Sequence, residues 1–274
     1  MAPDARVHLF HIGTPTCWWT YGYLGVLERV RLVYGQQVAI HTYVGCVYDD
    51  KARWLEHEEL TDETNREWQV ESAELMGVPM APHVRLDEMP DSLQPVTDAT
   101  WAAFRQGHDK GERFMREVLR ALLAKQRAPG NEAAWDEAAG AAGLDLDAFH
   151  ADIANADALD EVASEMGRGF PHVGLAFYNL AVGNGDDTWV VLNHAFDPAR
   201  VERAIEFIAD GGLTRSEPTD VVAYLERNGA CSAAELSKAF GTTAEEMEAR
   251  LTKLEKDGSV RPVALAAGTF WESR

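Results

Sequence analysis

The sequence predicts an α/β fold that is interrupted by a helical insertion and followed by a small C-terminal domain. A short apolar run at 6–12 and an alternating, β-branched run at 38–47 predict two strands. Between them, apolar residues recur with helical spacing over 17–34. From about residue 60 to 165 the strand pattern is weak and the pattern is helical. A tail at 218–274 has a separate pattern that predicts three helices followed by a hairpin.

The first two strands are expected to pair in parallel. Leu24, Leu27 and Val30 follow the spacing of one helical face, and Gly35 ends the helix that they define. A strand that is reached through a helix usually runs parallel to the strand before it. Residues 6–47 therefore predict a βαβ unit.

Caps and chain breaks place the remaining elements. Thr97 or Asp98 is expected to cap a helix that runs to Gly107. Further helices are expected at 62–76, 112–125, 131–142, 146–154, 157–166 and 197–210, and hairpin strands at 173–178 and 188–192. The predicted domain limits are 1–60 and 166–213 for the two parts of the α/β domain, 61–165 for the insertion and 218–274 for the tail.

The composition narrows the class of protein. With 45 acidic and 25 basic residues the net charge is −20, which disfavours nonspecific binding to nucleic acids and fits a surface solvated at high salt. The chain has no apolar run of about 18 residues, and residues 1–6 do not resemble a signal peptide, so a cytoplasmic protein without membrane contact is expected. Three scattered cysteines are too few for a disulfide framework or a zinc cluster.

Cys17 is the first candidate for chemistry because it stands between a predicted strand and the first turn of a predicted helix. The unpaired N–H groups of a helix N-terminus favour a thiolate, so a lowered thiol pKa and a nucleophilic role are expected. Trp18 and Trp19 would shield this thiolate or stack on an aromatic ligand, with Tyr21 and Tyr23 extending the aromatic lining. The alternative is that Cys17 is a small buried hydrophobe and that one tryptophan only packs on the insertion.

Other stretches, together with this order of elements, resemble a known family. They are 114–121 in the helical region, Gly143-Leu144-Asp145 leading to Phe149, and Gly169-Phe170-Pro171 before the third predicted strand. Residues 1–212 are thereby similar to the DsbA-like thioredoxin-fold family, which includes the FrnE-like and chromene-carboxylate isomerase-like proteins. The resemblance implies a thioredoxin-like fold and thiol–disulfide chemistry at Cys17.

The same resemblance implies a substrate-binding loop. Pro171 would form a cis peptide bond, and Phe170 and Pro171 would contact Cys17, with His172 just beyond them. Trp18 and Trp19 would complete the substrate-binding set.

Thr20 departs from the family pattern because it occupies the position of the second cysteine. A two-cysteine enzyme needs that thiol to resolve a mixed disulfide. Three alternatives follow: a low-molecular-weight thiol or another protein resolves Cys17, Cys46 serves as the resolving thiol, or catalysis is lost and the fold binds a ligand. In the catalytic alternatives Thr20 would donate a hydroxyl hydrogen bond to the Cys17 thiolate.

No metal site and no resident cofactor are expected, although a low-molecular-weight thiol could act as a co-substrate. The nine histidines lack paired metal-ligand spacing. His11 and His172 could both approach Cys17 and activate its thiolate or form a weak metal site, but a histidine at a strand end is more often a surface or capping residue.

The tail has the element order of a winged helix. Its third helix begins with Glu245, Glu246 and Glu248, and residues 216–274 carry seven basic and ten acidic residues. This charge is unfavourable for phosphate contacts, so a protein partner or dimer contact through 218–274 is favoured over DNA.

Two functional hypotheses remain. The first is a cytoplasmic single-cysteine (Cys-X-X-Thr) thiol–disulfide oxidoreductase or thiol-dependent transferase, whose substrate is a disulfide-bearing protein or a small molecule. The second is a non-catalytic redox-sensing, adaptor or transcription-regulatory protein that acts through its winged-helix-like tail.

Overall fold

A computed structural model describes residues 5–81, 84–167, 171, 173–185 and 188–274. Its centre is a mixed four-stranded sheet in the order β2-β1-β3-β4. The strands are β1 (Val7–Gly13), β2 (Val38–Val44), β3 (Asn179–Gly183) and β4 (Trp189–Asn193). β1 and β2 pair in parallel, which confirms the predicted βαβ unit, whereas β3 runs antiparallel to both β1 and β4.

Two helices pack on the sheet and form the main core with it. They are α1 (Trp18–Tyr34) and α9 (Pro198–Ala209). Val7 and Leu9 of β1 alternate toward these helices and are fully buried, as are Val26 of α1 and Ile205 of α9. The sheet therefore fixes the start of α1 next to the end of β1.

The described residues between β2 and β3 form seven helices. They are α2 (Lys51–His57), α3 (Asp62–Met76), α4 (Gln94–Arg105), α5 (His108–Leu123), α6 (Glu132–Ala141), α7 (Leu146–Ile153) and α8 (Ala156–Gly167). They have a second hydrophobic core around Phe114, Trp135 and Phe149. None of the described helices is both long and apolar enough to cross a lipid bilayer.

Several predicted boundaries are wrong: the helix predicted at 112–125 spans His108–Leu123, and two others differ for a local reason. α4 begins at Gln94 and not after a cap at Thr97 or Asp98, because Pro95 fits the first helical turn and the Thr97 hydroxyl donates to the Leu93 carbonyl inside the helix. No strand forms at 173–178: this segment is irregular and ends in a turn at 177–178, and β3 begins at Asn179. The Asn179 side chain accepts the Ala176 N–H at 2.9 Å, which holds this segment away from an extended path.

The C-terminal residues form a third packed unit. It comprises α10 (Val221–Asn228), α11 (Ala233–Phe240), α12 (Ala244–Lys256), β5 (Val260–Leu265) and β6 (Gly268–Ser273). The three helices and the hairpin agree with the sequence pattern of the tail. The backbone of Cys231 forms an isolated antiparallel β-bridge with that of Trp271 in β6, and both residues are buried in the core of this unit.

A buried charge network joins this unit to α1 and α5. Arg116 of α5 lies 3.1 Å from Glu28 of α1 and 3.0 Å from Glu235 of α11. Arg120, one turn further along α5, lies 3.3 Å from Glu235 and also donates to the Asn228 carbonyl. These four charged side chains are at most 6% exposed, so the C-terminal unit is held firmly against the helix that follows Cys17.

Gly25 allows α1 and α11 to approach closely, so Gly25→Ala should destabilise the protein. A Cβ at position 25 would lie 2.7 Å from the Glu235 carbonyl oxygen, which belongs to the backbone and cannot move alone. Overpacking of this kind costs about 1–3 kcal/mol, and this exceeds the gain of up to ~1 kcal/mol from the better helix propensity of alanine. The free energy of unfolding in urea measures the difference.

Gly140→Ala in α6 is the matched control, because nothing lies within 4 Å of a Cβ at that position. It should stabilise the protein by up to ~1 kcal/mol through helix propensity alone. An equal gain from Gly25→Ala would show that α1 and α11 are not in close contact.

Candidate active site

Cys17 lies in the connection from β1 to α1 and is the N-cap residue of α1, with an extended backbone (φ −97°, ψ 130°). The residue is half-buried, and the backbone N–H groups of Trp19 and Thr20 point to the sulfur. Burial raises the pKa of Cys17 to about 11, although these two N–H groups act in the opposite direction. The predicted lowering of the pKa is therefore wrong, because the loss of hydration outweighs the helix N-terminus.

Thr20 supports the loop that carries Cys17. Its side chain is buried, and its hydroxyl oxygen accepts the Thr14 backbone N–H at 3.0 Å. The Thr14 and Thr16 hydroxyls lie 3.3 Å apart in the same loop. Thr20 thus acts on the Cys17 sulfur through its backbone N–H, whereas the sequence suggested its hydroxyl.

Cys17 opens onto a cavity of about 360 Å³ between α1, the helical insertion and the segment before β3. The lining is largely aromatic and aliphatic. The described lining residues are Thr16, Cys17, Trp18, Trp19, Val47, Tyr48, Trp54, Glu58, Asn65, Gln69, Val84, Leu86, Met89, Leu93, Leu122, Leu123, Phe177 and Tyr178. A thiol on the wall of an apolar cavity of this size is typical of a small-molecule site.

Two amide side chains of α3 supply polarity to the cavity. Gln69 donates through Nε2 to the Ala81 carbonyl at 2.8 Å. Asn65, one turn earlier, is 7% exposed, and its carboxamide has no hydrogen-bond partner in the described parts of the chain. Sequence reasoning missed both residues. The available signal was that Asn and Gln occupy the inward face of α3, four positions apart.

Both tryptophans after Cys17 line the cavity, and both are half-buried. Trp19 stacks on Phe196, with ring centroids 5.8 Å apart, and lies 5.1 Å from the His194 ring. The expectation for the nearby tyrosines is wrong. Tyr21 and Tyr23 are buried in the main core, where the Tyr23 hydroxyl donates to the Tyr178 carbonyl at 2.9 Å, because their positions on α1 face the core.

The predicted loop around Pro171 is only partly described. Phe170 and His172 lie outside the described residues, and so does the Phe170–Pro171 peptide bond. Pro171 itself is half-buried and is not part of the cavity lining. Its cis peptide bond and its contact with Cys17 stay predictions. Phe177 and Tyr178, further along the same segment, do line the cavity with Cys17.

Cys46 and His11 are not in the cavity lining. The Cys46 thiol donates to the Tyr48 carbonyl at 3.1 Å, and burial raises its pKa. His11 lies 2.8 Å from the Thr42 hydroxyl, and burial lowers its pKa to about 3, so the ring is neutral. Within the described ranges, no group of three or more His, Cys, Asp or Glu side chains is placed to hold a metal ion.

Comparison with known proteins finds a curated relative at low sequence identity. No family model matches the chain. It is 25% identical over 177 residues to the ClpXP adapter protein SpxH from Shouchella clausii. The match covers 62% of this chain and 58% of that protein, so the chain spans little more than half of the relative's length.

Solved structures share the fold at low identity. The cytosolic disulfide reductase DsbM from Pseudomonas aeruginosa matches with a TM-score of 0.53 and 20% identity, over 74% of this chain and 97% of DsbM. A second DsbM structure, with GSH, matches with a TM-score of 0.50 and 19% identity, over 74% of this chain and 98% of DsbM. A Streptomyces coelicolor protein described as a probable DsbA oxidoreductase matches with a TM-score of 0.54 and 14% identity, over 78% of this chain and 94% of that protein. The chain therefore has a helix-rich α/β structure with the thioredoxin-like fold of DsbA-like proteins.

Proposed function

We propose that this protein is a single-cysteine thiol–disulfide oxidoreductase or thiol-dependent transferase that acts through Cys17. The observation that carries this proposal is the position of Cys17 on the wall of a cavity of about 360 Å³, with two backbone N–H groups directed at its sulfur. The likeness to DsbM and to a DsbA oxidoreductase supports thiol–disulfide chemistry, and the cytosolic origin of DsbM supports a cytoplasmic location.

The single thiol requires a second thiol from solution. After losing its proton, the Cys17 thiolate attacks a substrate disulfide, forms a mixed disulfide and releases the other half as a thiolate. A low-molecular-weight thiol then attacks this mixed disulfide, so that Cys17 is regenerated and the substrate half leaves as a new disulfide. This cycle exchanges the disulfide, because one soluble thiol enters for each substrate thiol released; a second soluble thiol that attacks the new disulfide completes the reduction, so that two soluble thiols are then oxidised for each disulfide reduced. Thr20 has no thiol and cannot serve as the resolving group, so this cycle depends on a thiol from solution.

Incubation with the neutral hydroxyethyl disulfide should place one mercaptoethanol group on Cys17. Intact-mass and peptide mass spectrometry measure the adduct and its position. Cys17→Ser should abolish the adduct, whereas Cys46→Ser should leave it unchanged, because Cys46 is not in the cavity lining. Excess mercaptoethanol should remove it. An adduct that persists in Cys17→Ser would contradict the proposal.

A second candidate function is that of an adaptor. It is favoured by the relative named as the ClpXP adapter protein SpxH. The C-terminal unit, which we propose is winged-helix-like, packs on α1 and would present a protein-binding or dimer surface. Its excess of acidic residues disfavours DNA. Chemical crosslinking in the native host, compared between the wild type and Cys17→Ser, tests this. A partner captured only by the wild type, without thiol turnover, would support the adaptor.

A further inference from the structure

We infer that the cavity beside Cys17 takes an uncharged, aromatic-sized disulfide or thiol that carries a hydrogen-bonding group, and that it discriminates against anionic thiols. The inference rests on the proposed function for the reaction at Cys17. The identity of the ligand class comes from the other residues of the lining.

Charge is the first argument. None of the described lining residues is Lys or Arg, and the only carboxylate among them is Glu58, at the rim beside His57. A ligand carboxylate would lose its hydration on entering an apolar cavity without gaining a cation to pair with. Glu58 would repel it further. An uncharged ligand avoids both costs.

Shape is the second argument. The Tyr48 and Trp54 rings stack with centroids 4.7 Å apart and an interplanar angle of 20°, and both line the cavity. Trp18 and Phe177 add further aromatic surface. Flat aromatic walls favour an aromatic or conjugated ligand through stacking and edge contacts.

An unpaired polar side chain is the third argument. Asn65 lines the cavity, is more than nine-tenths buried and has no side-chain hydrogen-bond partner among the described residues. Buried amides are normally paired, and a carboxamide both donates and accepts. Asn65 therefore points to a ligand with a hydrogen-bonding group such as a carbonyl, a hydroxyl or a ring nitrogen.

Two aromatic disulfides that differ in charge test the inference. They are 4,4′-dithiodipyridine, which is neutral, and 5,5′-dithiobis(2-nitrobenzoate), which carries two carboxylates. In each reaction the Cys17 thiolate attacks one sulfur, an aryl mixed disulfide forms and the other aryl thiolate leaves. The released group is followed by absorbance. The measured quantity is the rate of reaction with the neutral disulfide divided by the rate with the anionic disulfide. Peptide mass spectrometry confirms that Cys17 is the labelled residue.

The rate ratio of the folded protein should exceed that of the urea-unfolded protein by at least about tenfold, which corresponds to about 1.4 kcal/mol. Glu58→Lys should reduce the ratio severalfold. Because both probes react with the same thiolate, a change in the Cys17 pKa cancels in the ratio. Asn65→Leu should slow the neutral probe more than it slows iodoacetamide, which serves as the monitor of thiol reactivity.

Glu67→Lys is the matched control for overall charge. Glu67 is exposed on α3 and outside the lining, so its replacement should leave the ratio unchanged. Equal ratios for folded and unfolded protein, or equal responses to Glu58→Lys and Glu67→Lys, would overturn the inference and leave the proposed function intact. A folded Cys17 that reacts with neither probe would overturn the proposed function itself.

Discussion

Arg120→Met should lower the free energy of unfolding by about 3–5 kcal/mol, because it removes one member of a buried charge network. Arg120 is 1% exposed and donates to Glu117 at 2.8 Å, to the Asn228 carbonyl and to Cys231 at 2.9 Å. Methionine fills much of the same volume but leaves these acceptors buried and without their donor. Urea unfolding followed by tryptophan fluorescence measures the loss.

A double-mutant cycle separates the charge pair from packing. Glu235→Met alone should also be costly, since it strips Arg116 and Arg120 of a shared carboxylate. The double variant should lose less than the sum of the two single losses, because both charges then disappear together. Arg127→Met, at an exposed pair with Glu137, is the control and should cost less than about 1 kcal/mol. If Arg120→Met also cost less than about 1 kcal/mol, the buried charge network would not be a major source of stability.

The local part of the fold could be predicted from the sequence, and the long-range part could not. β1, α1 and β2 follow from periodicity because each buries one continuous face in a single core. β3 was placed too early because a local side-chain hydrogen bond of Asn179 turns an apolar stretch that has strand composition. The charge network was missed because Arg116 and Arg120, spaced one helical turn apart, resemble an ordinary solvated helix face until α11 covers them.

The same distinction applies to the candidate site. The position of Cys17 at a helix N-terminus could be predicted because neighbours in sequence create it. Its burial could not, because Leu122, Leu123 and α3 reach the cavity from the distant insertion. Asn65 is recognisable as a candidate only once α3 is seen to place it in the lining of the same cavity as Cys17. For this reason the sequence predicted the correct residue but the wrong direction for the shift of its pKa.

The reactivity of Cys17 should therefore depend steeply on pH. With a pKa of about 11, the thiolate fraction, and hence the rate of alkylation by iodoacetamide, should rise about tenfold per pH unit from pH ~7 to ~10. In the urea-unfolded protein the rate should level off near pH ~9. At neutral pH the folded thiol is about a hundredfold less ionised than an unperturbed one, but its anion is more nucleophilic, so the net slowing is about tenfold. Mass spectrometry of the Cys17 peptide in the Cys46→Ser background measures both rates.

If the alkylation rate of the folded protein instead levelled off near pH ~7, the Cys17 pKa would be lowered. The expectation of a thiolate stabilised by the helix N-terminus would then be correct. The outcome also bears on the choice between the two candidate functions. In a mixed disulfide the thiol with the higher pKa is the poorer leaving group, so an incoming thiol would expel the ligand half, and leave a new adduct on Cys17, more often than it would release the Cys17 thiolate. Release of Cys17 then requires excess thiol. A high pKa thus favours a long-lived adduct, which suits a redox-sensing adaptor. Efficient turnover would require that the ligand, once bound, brings the Cys17 pKa down.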